Sequence, residues 1–265
     1  MTLRAQRAVL LLPRGAPGPL ARDVVVLSPH LDDAVLSLGA LLSAHVRSGG
    51  RVRVVTVFAG RPDAVGAAGE WDRSAGFSTE GQAARARRTE DRAACARLGL
   101  EARHIDAADE QYPDRLGADA LWERLAPALR GADELLLPGY PLRNDDHAAV
   151  TGLVLTRTDP AQLVRLWLEE PYALRERAPS PHRWGDLRWG APGTARTEAL
   201  AKVRAVRCYG SQLPLLAPGR LSPPSRAGAA VTVAQLGALA VSRGEWTTAA
   251  VPALNLTERS RVQRR

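Results

Sequence analysis

The chain of 265 residues is nearly without lysine: Lys202 is the sole one among 36 basic residues, so the net charge of +8 is carried by arginine. The arginines are scattered among Asp and Glu. No basic run carries interleaved aromatics, which excludes the usual nucleic-acid groove. The basic end, Arg259 to Arg265, is short and reads as solvated. Cysteine is also scarce. Cys95 and Cys208 stand alone with no CxxC spacing, which excludes a disulfide framework and a thiolate zinc site, and they read as buried reduced thiols. No segment approaches the ~20 apolar residues of a membrane helix. The apolar stretch Ala8 to Leu12 is too short for an export signal and runs into Pro13 and Gly15. The expectation is a cytoplasmic protein without a membrane span.

What is present is an ordinary globular balance, 45% hydrophobic and 24% charged. Val24–Ser28 reads as a buried strand, because β-branched residues dominate an unbroken apolar run. No G-x-G-x-x-G turn follows it, which excludes a dinucleotide role. Ala34 to Val46 has helical spacing and stops at Gly49-Gly50. Arg51 to Phe58 is a second strand, and residues 59–79, rich in glycine, form a long loop. Glu80 to Leu98 is a helix closed by Gly99, His104 to Asp106 a short strand, Ala118 to Arg130 a helix and Glu134 to Leu137 a strand. The second half is less regular: strands at Val164 to Leu168 and Trp184 to Trp189, a helix from Thr194 to Tyr209, and a loop over 214–229. The alternation predicts an α/β fold: a Rossmann-like, mostly parallel sheet with helices on both faces, in a single domain over 1–265. Residues 1–22 read as a leader or edge segment and 213–265 as an irregular C-terminal extension.

The chemistry is concentrated just past the first strand, in Ser28-Pro29-His30-Leu31-Asp32-Asp33. In parallel sheets, ligands bind beyond the carboxyl ends of strands. A histidine and a carboxylate three residues apart on a tight turn can hold one divalent metal, and zinc suits that donor pair. A catalytic zinc needs a third protein ligand and an open position. Of the other histidines, His45 lies on the outer face of a helix, His104 begins a strand at the wrong end, and His182 sits in a loop. His147 follows the strand Leu135–Leu137 and is the best third ligand. The bland alternative is a turn whose His and Asp cap the next helix, which explains the histidine poorly.

These segments resemble the LmbE-like, or PIG-L, family of zinc-dependent N-deacetylases. The resemblance rests on His30-Leu31-Asp32-Asp33 and Asp146-His147. It extends through Arg87-Arg88-Thr89-Glu90, Leu98-Gly99, Asp109 with Tyr112, Glu170-Pro171-Tyr172, Lys202, Tyr209-Gly210-Ser211-Gln212 and Gly244-Glu245. It implies that His30, Asp33 and His147 ligate Zn2+, with Fe2+ as another metal such sites accept. Asp32 is then the general base, and Asn144 and Asp146 belong to the catalytic group. Arg88 (or Arg87) and Asp109 are expected to hydrogen-bond sugar hydroxyls, with Tyr112 beside them. The substrate implied is a small amino-sugar conjugate that loses an acetyl or other acyl group from nitrogen, in bacterial secondary metabolism or thiol biosynthesis.

One departure stands out. The family's H-x-D-H reads Asn144-Asp145-Asp146-His147 here, and asparagine can donate a hydrogen bond but cannot act as an acid. A catalytically weak sugar-binding protein and a metal amidohydrolase of non-sugar amides therefore stay open. Trp167, Trp184 and Trp189 read as core, and Lys202, Tyr209 and Gln212 as residues that hold the C-terminal helix to the body.

Overall fold

A computed structural model describes residues 17–175, 189–191, 193–216, 226–242, 245–253 and 255–256. Five parallel strands form the sheet's body: β1 (Asp23–Ser28), β2 (Arg51–Thr56), β3 (Glu101–His104), β4 (Glu134–Tyr140) and β5 (Leu163–Leu168). Antiparallel pieces extend its edge: β6 (Trp189–Gly190), β7 (Thr247–Thr248) and β8 (Val251–Pro252). The strand order is β3-β2-β1-β4-β5-β7-β6, with β8 also on β5. This is the expected single α/β layer structure.

The helices are α1 (Asp33–Arg47), α2 (Glu70–Ser74), α3 (Glu80–Leu98), α4 (Ala118–Leu129), α5 (Asp145–Arg157), α6 (Tyr172–Arg175), α7 (Arg196–Val206) and α8 (Arg226–Ser242). Side chains alternate along each strand, so both sheet faces are apolar and both are covered. Val25, Leu27, Leu135 and Leu137 pack with Leu121 and Leu125 of α4 and Val150 and Val154 of α5. Val24, Val26 and Leu136 pack on the other face with Val35 and Leu38 of α1, Cys95 of α3 and Val206 of α7. No helix among the described residues is long and apolar enough to cross a membrane. Both cysteines are free, Cys95 buried and Cys208 half-buried.

β1 runs on to β2 on one side, while β4 flanks it on the other. The crevice between the carboxyl ends of β1 and β4 is therefore the switch point of the sheet, where such folds bind ligands. Gly139 shapes one wall. The β4–β5 register shifts between Pro138 and Tyr140, and a Cβ at Gly139 would lie 2.7 Å from the Leu166 side chain. Only glycine fits this irregularity, which re-aims the chain as it leaves the sheet.

Several expectations need correction. The loop 59–79 contains α2, five residues too short to show periodicity. His104 closes β3 rather than opening a strand, and its Nε2 is 2.8 Å from Asp91 Oδ2 on α3. The segment 213–265 is not simply irregular. It supplies α8, an Ala-rich helix with little amphipathic signal, and the two-residue strands β7 and β8. Lys202 and Tyr209 do brace the body, through Lys202 Nζ to Glu245 Oε1 (2.6 Å) and Tyr209 Oη to Asp91 Oδ1 (2.8 Å). Residues 17–19 are tied to the body: their carbonyls accept bonds from buried Arg165, which also pairs with Glu134 at 2.6 Å. Trp184 and His182 lie outside the described residues.

Candidate active site

The turn after β1 is organised by Ser28. Its Oγ donates to the His30 carbonyl (2.7 Å) and accepts from Ala34 N (3.0 Å), so the α1 N-terminus is capped from the strand. Asp32, at the cap position, makes no side-chain capping bond and holds φ at +139°. A non-glycine residue there costs about 1–3 kcal/mol, a strain found where surrounding structure fixes a functional geometry. Asp32 therefore caps nothing, while Asp33 sits in the first turn of α1. Asp33 Oδ2 accepts from His30 N at 2.8 Å, closing the turn.

Three donor atoms converge. His147 Nε2 is 3.3 Å from His30 Nδ1 and 3.3 Å from Asp33 Oδ2, and the two latter atoms are 3.6 Å apart. A tetrahedral ion with ligands at ~2.0–2.1 Å has edges of about 3.3 Å. The triangle therefore has the size and the N, N, O donor chemistry that a divalent metal needs, and these three residues form a metal-competent group.

The outer nitrogens of both rings are claimed by carboxylates. Asp146 Oδ2 is 3.0 Å from His30 Nε2, and Glu169 Oε2 is 2.6 Å from His147 Nδ1. Each carboxylate sets its imidazole so that the inner nitrogen keeps a lone pair. Asp146, expected in the catalytic group, thus stands behind His30. It also pairs with Arg115 and accepts from Glu110 N. Burial would raise its pKa, but the bond and charge of His30, with Glu110 N and Arg115, hold it below the usual carboxylate range. Glu169 was missed by sequence reasoning. Its other oxygen accepts from Leu142 N at 3.0 Å.

A cleft of about 220 Å3 opens on this group. Asp32, Arg87, Asp109, Glu110, Gln111 and Asn144 give its polar lining, and Leu36, Trp71, Pro171, Tyr172 and Leu216 its apolar lining. Burial, then the Asp33 charge, raises the Asp32 pKa well above the usual carboxylate range. No described residue hydrogen-bonds its carboxylate, which leaves the group free to face the cleft. Asn144 caps α5, its Oδ1 accepting from Asp146 N at 2.8 Å. Its Nδ2 remains a donor, 3.4 Å from Glu110 Oε1.

The substrate candidates separate. Asp109 lines the cleft, accepting from Gln111 N and Nε2. Arg88 does not. Its guanidinium is occupied by the Ala59 and Gly60 carbonyls and Asp106. Arg87 lines the cleft instead, pairs with Asp72 at 3.1 Å and has a buried Nε with no partner. Tyr112 is buried and donates to Asp72 Oδ2 at 2.6 Å, supporting Arg87 from behind. Gln212 reaches the cleft and accepts from Trp71 Nε1 at 2.7 Å, rather than only bracing the C-terminal helix.

Residues 25–157 match the family model PIG-L, described as GlcNAc-PI de-N-acetylase. Among solved structures, the A40926 pseudoaglycone deacetylase Dbv21 is 26% identical, with 88% of this chain and 98% of that one covered and a TM-score of 0.68. The zinc-inhibited form of teicoplanin deacetylase Orf2 is 26% identical over 86% and 98% of the two chains, with a TM-score of 0.67. The N,N'-diacetylchitobiose deacetylase from Pyrococcus horikoshii is 17% identical over 94% and 90%, with a TM-score of 0.55, a likeness of fold alone. Comparison with curated proteins finds no match.

Proposed function

The chain belongs to the GlcNAc-PI de-N-acetylase (PIG-L) family, and on that premise we propose that it is a zinc-dependent hydrolase of amino-sugar amides, releasing acetate or another carboxylate from nitrogen. The observation that carries this reading is the His30–Asp33–His147 triangle, with edges of 3.3, 3.3 and 3.6 Å and with Asp33 and His147 buried, where a cleft opens that also holds a free buried carboxylate. The likeness to antibiotic-pathway deacetylases supports a small glycosidic substrate.

In this reading His30 Nδ1, Asp33 Oδ2 and His147 Nε2 hold the ion, with Asp146 and Glu169 fixing the two rings. Zinc in such a site acts as a Lewis acid that polarises the amide carbonyl and makes water more acidic. Asp32 accepts a proton from the attacking water as the C–O bond forms. It then delivers that proton to the leaving nitrogen as the C–N bond breaks. This is one group in two roles, which offsets the absence of an acid at Asn144. Asn144 Nδ2 serves as a donor toward the developing oxyanion. Arg87 and Asp109, which line the cleft, engage the sugar hydroxyls. Two free thiols fit a reducing, cytoplasmic setting.

The test is amine release from N-acetylglucosaminides by zinc-loaded protein. Asp32→Asn is expected to keep the metal and lower turnover by about 10²–10⁴-fold. Arg87→Ala should raise KM, and Arg88→Ala should act through stability. Wild-type protein that holds zinc and releases no amine from any such amide overturns the reading.

A further inference from the structure

Five large hydrophobic side chains are exposed among the described residues, and of these Trp71 alone lines the cleft, at 40% exposure. Its ring is held in place. Trp71 Nε1 donates to Gln212 Oε1 at 2.7 Å, and Gln212 Nε2 donates to Ser211 Oγ at 2.9 Å. Ser211 in turn donates to Glu90 of α3 through Oγ (2.7 Å) and N (2.8 Å). Gln212 is buried. An exposed indole anchored this way loses little entropy when a ligand covers it. Its one N–H is already used, so what it offers a ligand is a flat apolar face.

Trp71 lies on the polar side of the cleft. The next residue, Asp72, accepts from Arg87 and Tyr112, so the indole shares its short helix with the polar set assigned to the sugar hydroxyls. It makes no hydrogen bond to the His30–Asp33–His147 group, where the acyl carbonyl belongs. Leu216, in the turn that carries Gln212, adds an apolar neighbour in the cleft lining. We propose that Trp71, steadied by Gln212, is a specificity platform for a ring carried on the glycosidic oxygen of the amino sugar. The proposal rests on the amino-sugar reading above and names what that sugar carries: an aromatic or CH-rich cyclic aglycone rather than hydrogen, methyl or a linear polar chain.

Two probes test it, the methyl and phenyl glycosides of 2-acetamido-2-deoxyglucose. Their binding to zinc-loaded full-length protein carrying Asp32→Asn is measured by calorimetry, and amine release is followed in wild type. The phenyl glycoside is expected to bind about threefold to tenfold more tightly than the methyl glycoside. Trp71→Ala should erase that preference while leaving the methyl glycoside within about twofold, and Trp71→Phe should keep a large part of it. Equal weakening of both probes by Trp71→Ala, an unchanged preference, or failure of both probes to bind overturns the platform. A preference that disappears with Trp71→Ala in a protein that releases no amine keeps the platform and removes the deacetylase reading.

Discussion

Glu169 Oε2 lies 2.6 Å from His147 Nδ1, and both side chains are buried. The contact depends on the sheet. β4 and β5 run side by side with Tyr140 opposite Leu168, so Glu169 emerges beside the loop that leads into α5. Its backbone N–H donates to the Tyr140 carbonyl at 2.7 Å, and its Oε1 accepts from Leu142 N, a residue with φ of +51°. One carboxylate thus fixes both a ligand imidazole and the loop that precedes it.

Glu169→Gln is expected to weaken zinc binding by about 10–100-fold, the usual cost of losing a carboxylate partner to a ligating histidine. Competition with a chromophoric chelator measures it. Unchanged affinity would show that the pairing only braces the loop.

Asp146→Ala removes the acceptor used by His30 Nε2, Glu110 N and Arg115. Asp146 is the buried partner, and losing hydrogen bonds to a charged acceptor costs about 1.5–3 kcal/mol of stability, while the His30 ring loses its orientation. Denaturant unfolding of the metal-free variant reads the first effect and zinc affinity the second. Arg115→Ala should cost less, because that side chain is partly exposed.

Zinc loading should depend on pH. In the metal-free protein burial pushes the His147 imidazole down, but the Asp33 carboxylate and the bond to Glu169 outweigh it and hold the pKa up at about 9. Metal must displace that proton, so apparent zinc affinity should tighten by up to about tenfold per pH unit from 7 to 9 and then level off. The same shift stabilises the metal-free fold. That contribution is fully present below the unfolded value near 6.5 and is lost as pH rises through about 9. Chelator-corrected affinities at several pH values check the first statement, and unfolding of the metal-free protein at pH 6, 8 and 10 the second.

Gly139→Ala is expected to destabilise by about 1–3 kcal/mol, since its Cβ would press on Leu166 at 2.7 Å and on Trp189 at 2.8 Å. Thermal unfolding measures this. The wall beside α5 should loosen as well.

The sheet was legible because its strands are short runs of Val and Leu buried on both faces, and such runs carry their own signal. The metal group was legible because two of its three ligands share one turn and the third follows a strand that ends at the same edge. Other parts needed the packing. Consecutive residues on a helix point about 100° apart, so the choice between Arg87 and Arg88 rests on how α3 sits against the β2 loop. Trp71 lies on a helix of one turn in a glycine-rich stretch, without a period to mark it. Glu169 meets His147 only through the β4–β5 register. The C-terminal strands have two residues each, too few for any pattern.

The central claim is that His30, Asp33 and His147 hold one catalytic metal. The measurement that tests it most directly is the metal content of purified full-length protein, wild type against His147→Ala, after zinc is supplied and the excess removed. The account predicts about one zinc per chain in wild type and a loss of most of it in the variant. Wild-type protein that retains no metal under these conditions, or a variant that retains it fully, would contradict the account.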